Sequence, residues 1–383
     1  MSKEIKVDYL ARVEGEGAMY LSMKNGKADK LILKIFDPPR FFEALLVGRS
    51  YLEVPDITAR ICGICPVAYQ MSSSRAIEKI LGIGIPKEIR NLRRLLYLGE
   101  WIESHALHVY LLHAPDFLGY ESALEMARDH KEIVQMGLRL KRWGNLIMEI
   151  LGGRSVHPVS PRIGGFHRAV RPEELRPLLK DMEQIGKDAL HTVEWVWQFS
   201  YPDLRHNVEY VSLWEEKEYP VIGGRIKSNK GLDVSEEEFD EVFIEDQVPY
   251  STSLRYKVKE RGSYLVGPQA RVNLNFNKLM PEVLDKARQL GISAPVTNPF
   301  MSIVCRALEI AHAVAEAGDI LNNYRQPAKA YVEMPPKAGQ GCGITEAPRG
   351  MLYHKYVINE NGIVEKAKII PPTSQNLTRI EGD

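Results

Sequence analysis

The chain has 383 residues, 44% of them hydrophobic, enough apolar material for a sizeable core in one large domain or two. Its 50 basic and 50 acidic side chains cancel, so the basic face that grips nucleic acid is not expected. There is no apolar run of membrane-spanning length, and the charged start Met1-Ser-Lys-Glu lacks the apolar segment of a secretory signal, so the expected compartment is the cytoplasm.

The N-terminal region alternates in short apolar runs. Ile5 to Tyr9, Ala18 to Met23 and Leu31 to Phe36, with Asn25-Gly26 as a turn, predict a small antiparallel sheet ended by Pro38-Pro39. Arg40 to Gly48 reads as a short helix. Apolar residues at helical spacing then predict helices over Pro66 to Leu81, Ile89 to Leu112 (stopped before Pro115), Ser122 to Leu151 (closed by Gly152-Gly153) and Pro172 to Phe199. Together these imply a bundle. Tyr210 to Gly267 changes character. It is rich in Val, Tyr, Gly and charge, with an acidic stretch from Ser235 to Asp246, and predicts strands and loops in a peripheral lobe. Helix returns over Met280 to Leu290 and Phe300 to Leu321. Ala330 to Met334 and Gly350 to Ile370 read as strands, with Asn361-Gly362 as a hairpin turn. No internal repeat or low-complexity segment is evident. The expected fold is α+β and mainly helical: a central bundle of long helices with small peripheral antiparallel sheets, residues 1–383 forming a single domain.

The four cysteines are Cys62, Cys65, Cys305 and Cys342, too few for a disulfide framework in a chain of this length. The close pair lies in Arg60-Ile61-Cys62-Gly63-Ile64-Cys65-Pro66. Two thiolates at this spacing can converge on one metal or one metal pair. Gly63 allows the tight turn between them, and Pro66 suits the first position of the following helix. The sulfurs would then lie at a helix N-terminus, whose partial positive charge favours thiolate. By itself the pair could equally be half of a zinc site, a redox dithiol, an iron–sulfur ligand pair or two buried thiols.

The surrounding landmarks narrow the choice. Arg60 to Pro66 resembles the first cysteine motif of nickel–iron hydrogenase large subunits. Six further segments resemble that family's motifs in the same order: Arg12-Val13-Glu14-Gly15; Arg40-Phe41-Phe42-Glu43 with Gly48-Arg49; Glu103 to His108 through Pro115-Asp116; Val266 to Arg271; Thr345 to Gly350; and Pro372 to Asn376. The resemblance spans nearly the whole chain and is nearest to the cytoplasmic subfamily that couples hydrogen to soluble electron carriers.

The resemblance implies a nickel–iron centre held by four cysteine thiolates, with carbon monoxide and cyanide on the iron. Soft thiolates suit both metals. Cys62 would be a terminal nickel ligand and Cys65 a bridging one. Glu14 resembles a glutamate that relays protons from a terminal cysteine, a role suited to a carboxyl whose pKa is raised by burial. Glu43 resembles a magnesium ligand. Arg349 resembles an arginine above the open metal position, between Pro348 and Gly350, and Asp116 a carboxylate beside it. Thr373 resembles a hydroxyl residue bonding a cyanide. His105 and His108, three apart on a helix, resemble supporting histidines rather than metal ligands.

Two departures stand out. Tyr69 occupies the place where the family often has a histidine supporting the bridging sulfur. The C-terminal D-P-C-x-x-C motif, which supplies the second thiolate pair, is absent; the expectation is that the natural chain continues beyond Asp383. Cys305, in a helical pattern, and Cys342, in Gly341-Cys342-Gly343, are not expected to replace that pair. The implied partners are a small iron–sulfur subunit, since four cysteines cannot supply a cluster relay here, and further flavin or iron–sulfur subunits. No glycine-rich dinucleotide fingerprint is evident. The competing readings are a metal-free coupling subunit related to the quinone-site subunit of respiratory complex I, an immature precursor, and a small zinc or dithiol module using Cys62 and Cys65 alone.

Overall fold

The structure is a computed structural model and describes residues 2–11, 15–36 and 39–382. Ser2–Val7, Gly17–Lys24 and Lys27–Ile35 form the expected N-terminal antiparallel sheet, in chain order. The turn between the last two uses Asn25 and Gly26, both at positive φ (54° and 78°), the backbone that asparagine and glycine tolerate best. The helix expected over 40–48 runs Pro39–Leu46, and Pro38 lies outside the described residues.

Four long helices make the centre: Lys87–Ala106, Lys131–Gly152, Arg176–Trp197 and Ser302–Asn322. The first packs on the second and the fourth, and the third touches the second and the fourth, closing a bundle. Trp101, Leu140, Val193 and Leu308 are among the fully buried residues of its core. Two expectations need correcting here. Helical backbone does not stop before Pro115: a wider turn, Leu107–His113, leads into Ala114–Leu118. Pro115 sits in the first turn of that last segment, directly after the wider turn, whose i to i−5 spacing is seen in the bond from the Ala114 N–H to the Val109 carbonyl. The run 122–151 is two helices, Ala123–Asp129 and Lys131–Gly152, parted at His130. The Ser122 hydroxyl caps the first by accepting from the Glu125 N–H at 3.2 Å.

In the 210–267 region, Val211–Trp214, Arg225–Ser228 and Asp233–Val234 form one small antiparallel sheet, and Phe243–Asp246 pairs with Arg255–Val258. Its buried side chains share one apolar cluster with Ile344, Met351, Tyr353 and Ile370. Those four belong to a C-terminal antiparallel sheet of Gly339–Ala347, Gly350–Ile358 and Val364–Ile370. Ala330–Met334 is not a strand; only Tyr331 bridges, to Gly165. The strand Gly339–Ala347 was not expected at all, because Gly-Gln-Gly-Cys-Gly reads as turn.

Those glycines have a packing reason. The strand lies directly on the buried helix Pro66–Leu81. A Cβ on Gly341 would sit 2.5 Å from the Ala76 carbonyl oxygen, and one on Gly343 would sit 2.7 Å from the Ala76 nitrogen and the Ser72 carbonyl oxygen. The contact is sealed by Ser72 Oγ and Thr345 Oγ1, 2.7 Å apart, with the Tyr97 hydroxyl donating to Thr345 Oγ1 at 2.8 Å. It sets the cysteine pair, at the start of that helix, beside the loop that ends the strand. Since backbone atoms cannot swing aside, Gly343→Ala should destabilise the fold by about 1–3 kcal/mol, the usual cost of overpacking. Chemical denaturation of both forms checks this, and an unchanged midpoint would contradict the close contact.

Candidate metal centre

Cys62 ends the short turn Ala59–Ile61, and Cys65 is the N-cap of the helix Pro66–Leu81, with Pro66 at its first position as expected. The Cα atoms are 5.3 Å apart and the sulfurs are joined as a disulfide, while the Cys65 N–H donates to Cys62 Sγ at 2.9 Å. Holding a metal requires both as thiolates. The expectation that the helix N-terminus favours thiolate meets a counterweight. The fully buried carboxyl of Glu100 accepts from the Val67 N–H at 2.6 Å and the Ala68 N–H at 3.1 Å. The first-turn donors are therefore spent on an acidic group rather than on sulfur.

Both cysteines line a cavity of about 280 Å³. Pro348, Arg349 and Thr373 line the same cavity, as do Tyr69 and Ser104. Residues more than 280 positions apart thus meet at one site through the strand-on-helix contact. Glu14 lies outside the described residues, but its neighbours Gly15 and Glu16 line this cavity.

Arg349 is steadied by a histidine. Its Nη2 is 3.1 Å from His108 Nε2, and His108 Nδ1 is 2.9 Å from the Ser104 carbonyl oxygen. Burial, with the nearby charges of Arg306 and Arg349, drives the His108 pKa down to about 2. The ring is therefore neutral. Its Nδ1–H donates to the carbonyl, which leaves Nε2 as the acceptor for the guanidinium. Asp116 follows on the same run of helix, exposed in the first turn of Ala114–Leu118.

Glu43 does not line the cavity. It is half-buried on the helix Pro39–Leu46, where its Oε1 accepts from the Ile369 N–H at 2.8 Å, and burial raises its pKa. Tyr69 is buried edge-on to His354, with ring centroids 5.6 Å apart, and His354 Nδ1 lies 2.6 Å from the Tyr356 hydroxyl. Cys305 is fully buried in the helix Ser302–Asn322, and Cys342 Sγ donates to the Glu236 carbonyl oxygen at 3.4 Å. Burial pushes both of these thiols up, and neither lines the cavity, in keeping with their expected exclusion as ligands.

The residues present fit one half of a dinuclear thiolate centre. Two soft donors line one cavity with a cation, Arg349, and a hydroxyl, Thr373, suited to small anionic ligands. Among the described residues no cluster of three or more His, Cys, Asp or Glu side chains is placed to hold a metal ion.

Sequence reasoning missed the carboxylates behind this site. Arg271 is fully buried between Glu309 and Glu346, and His105 Nε2 lies 2.9 Å from Glu309 Oε2. Burial lowers the His105 pKa to about 4, so this histidine too is neutral. The available signal was charge on otherwise apolar helix faces, at Glu100 and Glu309, which places ionisable groups in a core.

The nickel-dependent hydrogenase family profile matches residues 40–145. The alpha subunit of sulfhydrogenase 1 from Pyrococcus furiosus is 33% identical, over 98% of this chain and 89% of its own length. The alpha subunit of sulfhydrogenase 2 from the same organism is 35% identical over the same shares. A subunit of the F420-non-reducing hydrogenase vhu from Methanocaldococcus jannaschii is 31% identical, over 99% of this chain and 97% of its own. A solved NAD+-reducing [NiFe]-hydrogenase in its H2-reduced state has the same fold, with TM-score 0.86 and 23% identity over 99% of this chain and 91% of that one. The chain belongs to the nickel-dependent hydrogenase family. Full-length relatives of this kind support the hydrogenase reading over the coupling-subunit and zinc-module alternatives.

Glu346 gives a pH signature. Burial is the main reason its pKa rises to about 7, against the opposing pull of Arg271. An acid whose folded pKa lies above its unfolded value near 4.5 binds more protons when folded, so stability falls as pH climbs from about 4.5 to about 7 and is level beyond. Glu346→Gln should remove that decline. Melting temperature against pH, measured for both proteins, tests it; parallel curves would assign the slope elsewhere.

Proposed function

We propose that this chain is the catalytic subunit of a nickel–iron hydrogenase, performing the reversible heterolytic cleavage of H2. The observation that carries the proposal is the convergence of Cys62 and Cys65 with Pro348, Arg349 and Thr373 on one cavity. Cys62 would hold nickel terminally and Cys65 would bridge nickel and an iron bearing carbon monoxide and cyanide. When bound, these metals supply the soft, redox-active pair at which the H–H bond is polarised.

The protein's own groups supply the rest. A terminal cysteine sulfur takes the proton, and Glu14 relays it towards solvent. Arg349, held by neutral His108, keeps a fixed positive charge facing the cavity, where developing negative charge is stabilised without reorganisation. Asp116 pairs with Arg349 in this reading. Thr373 would donate its hydroxyl to a cyanide ligand, and the Pro348 ring would help exclude water. Glu43 would hold magnesium, a hard ion that prefers carboxylate and water. The Tyr69 hydroxyl stands in for the usual histidine as the donor supporting the Cys65 sulfur.

Electrons leave first to a small iron–sulfur subunit, then through flavin or iron–sulfur subunits to a soluble carrier, because four cysteines cannot build a cluster relay within this chain. Relatives that are themselves named as single subunits of hydrogenases support such a multi-subunit assembly. No helix among the described residues is long and apolar enough to cross a membrane. A cytoplasmic location belongs to the same reading. Cys65→Ser should abolish H2 uptake in the assembled complex, since oxygen is a poor bridging donor for these metals. Uptake at the unsubstituted rate would refute the assignment.

A further inference from the structure

The segment Val266 to Arg271 stands out in the sequence but has no part in the chemistry above. Its end, Arg271, is fully buried on the helix Pro268–Asn275, and every one of its five N–H donors is engaged. Nε and Nη2 donate to the two Glu309 oxygens, each at 2.7 Å. Nη1 donates to Glu346 Oε2 at 3.0 Å and to the Ala347 carbonyl at 2.8 Å. The second hydrogen on Nη2 goes to the Pro348 carbonyl at 2.9 Å. The guanidinium also lies over the Trp101 indole, 4.4 Å from its centroid.

Two of these five bonds hold the backbone immediately before Arg349. The next carbonyl lies close against the same segment. Gly267 has φ +118°, and a Cβ there would sit 2.8 Å from the Arg349 carbonyl oxygen. On the far side, a Cβ on Gly350 (φ +134°) would sit 2.9 Å from the Gly267 nitrogen. The loop bearing Arg349 is thus cast against 267–271, with no room for a side chain between them.

We propose that Arg271 is a positioning residue for Arg349: by clamping the carbonyls of Ala347 and Pro348 it aims the Arg349 guanidinium at the cavity and at His108. This rests on the hydrogenase reading of the cavity. Glu309 and Glu346 set the orientation of the Arg271 plane, so the clamp is a planar, bidentate device. A lysine has the charge but neither the plane nor enough donors to replace it.

The test uses the metal-loaded complex and compares Arg271→Lys, Arg349→Lys and the double variant. Misplacing a charge by about 1 Å can cost on the order of 100-fold, so Arg271→Lys should lower H2 turnover by roughly 10- to 100-fold, with nickel and iron content unchanged. Its infrared cyanide bands should move in the same direction as those of Arg349→Lys. In the Arg349→Lys background it should add less than about 2-fold, because the two residues act through one group. Unchanged turnover and cyanide bands in a folded, loaded Arg271→Lys protein would overturn the proposal, as would losses that multiply in the double variant. If Arg271→Lys loses metal or fails to fold, Gly267→Ala presses on the same loop while leaving the ion cluster intact. A comparable fall in turnover then supports the clamp, and unchanged turnover overturns it. An unsubstituted complex that loads nickel and iron yet neither takes up nor evolves H2 would instead sink the reading of the site, and this inference with it.

Discussion

A strand edge stripped of side chains lies against a buried helix, and the site depends on that contact. Gly341 and Gly343 bring the strand Gly339–Ala347 onto the helix Pro66–Leu81, and the bond between Ser72 and Thr345 joins residues 273 apart in sequence. One element begins with the cysteine pair and the other ends at Pro348 and Arg349. Neither could form the cavity alone. Packing of the backbone itself, rather than of adaptable side chains, makes the distance between sulfur and guanidinium hard to change.

Behind the cavity lies a second constraint, electrostatic rather than steric. Arg271, Glu309 and Glu346 are all fully buried, and His105 and the Tyr219 hydroxyl complete the cluster around Glu309. Such clusters are a poor source of net stability, because desolvation offsets most of the attraction. Removing one partner is costly all the same, about 3–5 kcal/mol, since it leaves an uncompensated charge in the core. What the arrangement provides is a unique geometry for the loop it touches. The neutral state of His108 has the same effect: an imidazolium there would repel Arg349, whereas the neutral ring accepts its hydrogen bond.

Much of this was legible in the sequence, and the reasons for the rest are physical. Helices over 66–81, 281–290 and 302–322 follow from apolar spacing, and the hairpin turns at Asn25-Gly26 and Asn361-Gly362 from residues that tolerate positive φ. The cysteine pair and the Pro348-Arg349 loop were visible as motifs, and the fold brings them together. The strand at 339–347 was invisible because its glycines, which signal a turn locally, are demanded by a helix far away in sequence. The passage through Pro115 was missed because the wider turn before it has no local signature. The contacts that Glu100 makes with the start of the helix Pro66–Leu81, and Arg271 with the Pro348-Arg349 loop, were missed for a related reason: the partners lie 32 to 77 residues away, and no periodicity encodes which buried charge meets which backbone.

The central claim is that Cys62 and Cys65 are half of a nickel–iron centre rather than a dithiol or a zinc site. Metal analysis of the natively purified complex tests it most directly. The account predicts nickel and iron in equal amounts. Zinc without iron, or a complex without nickel, would contradict it and withdraw the roles assigned to Arg349, Thr373 and Glu14.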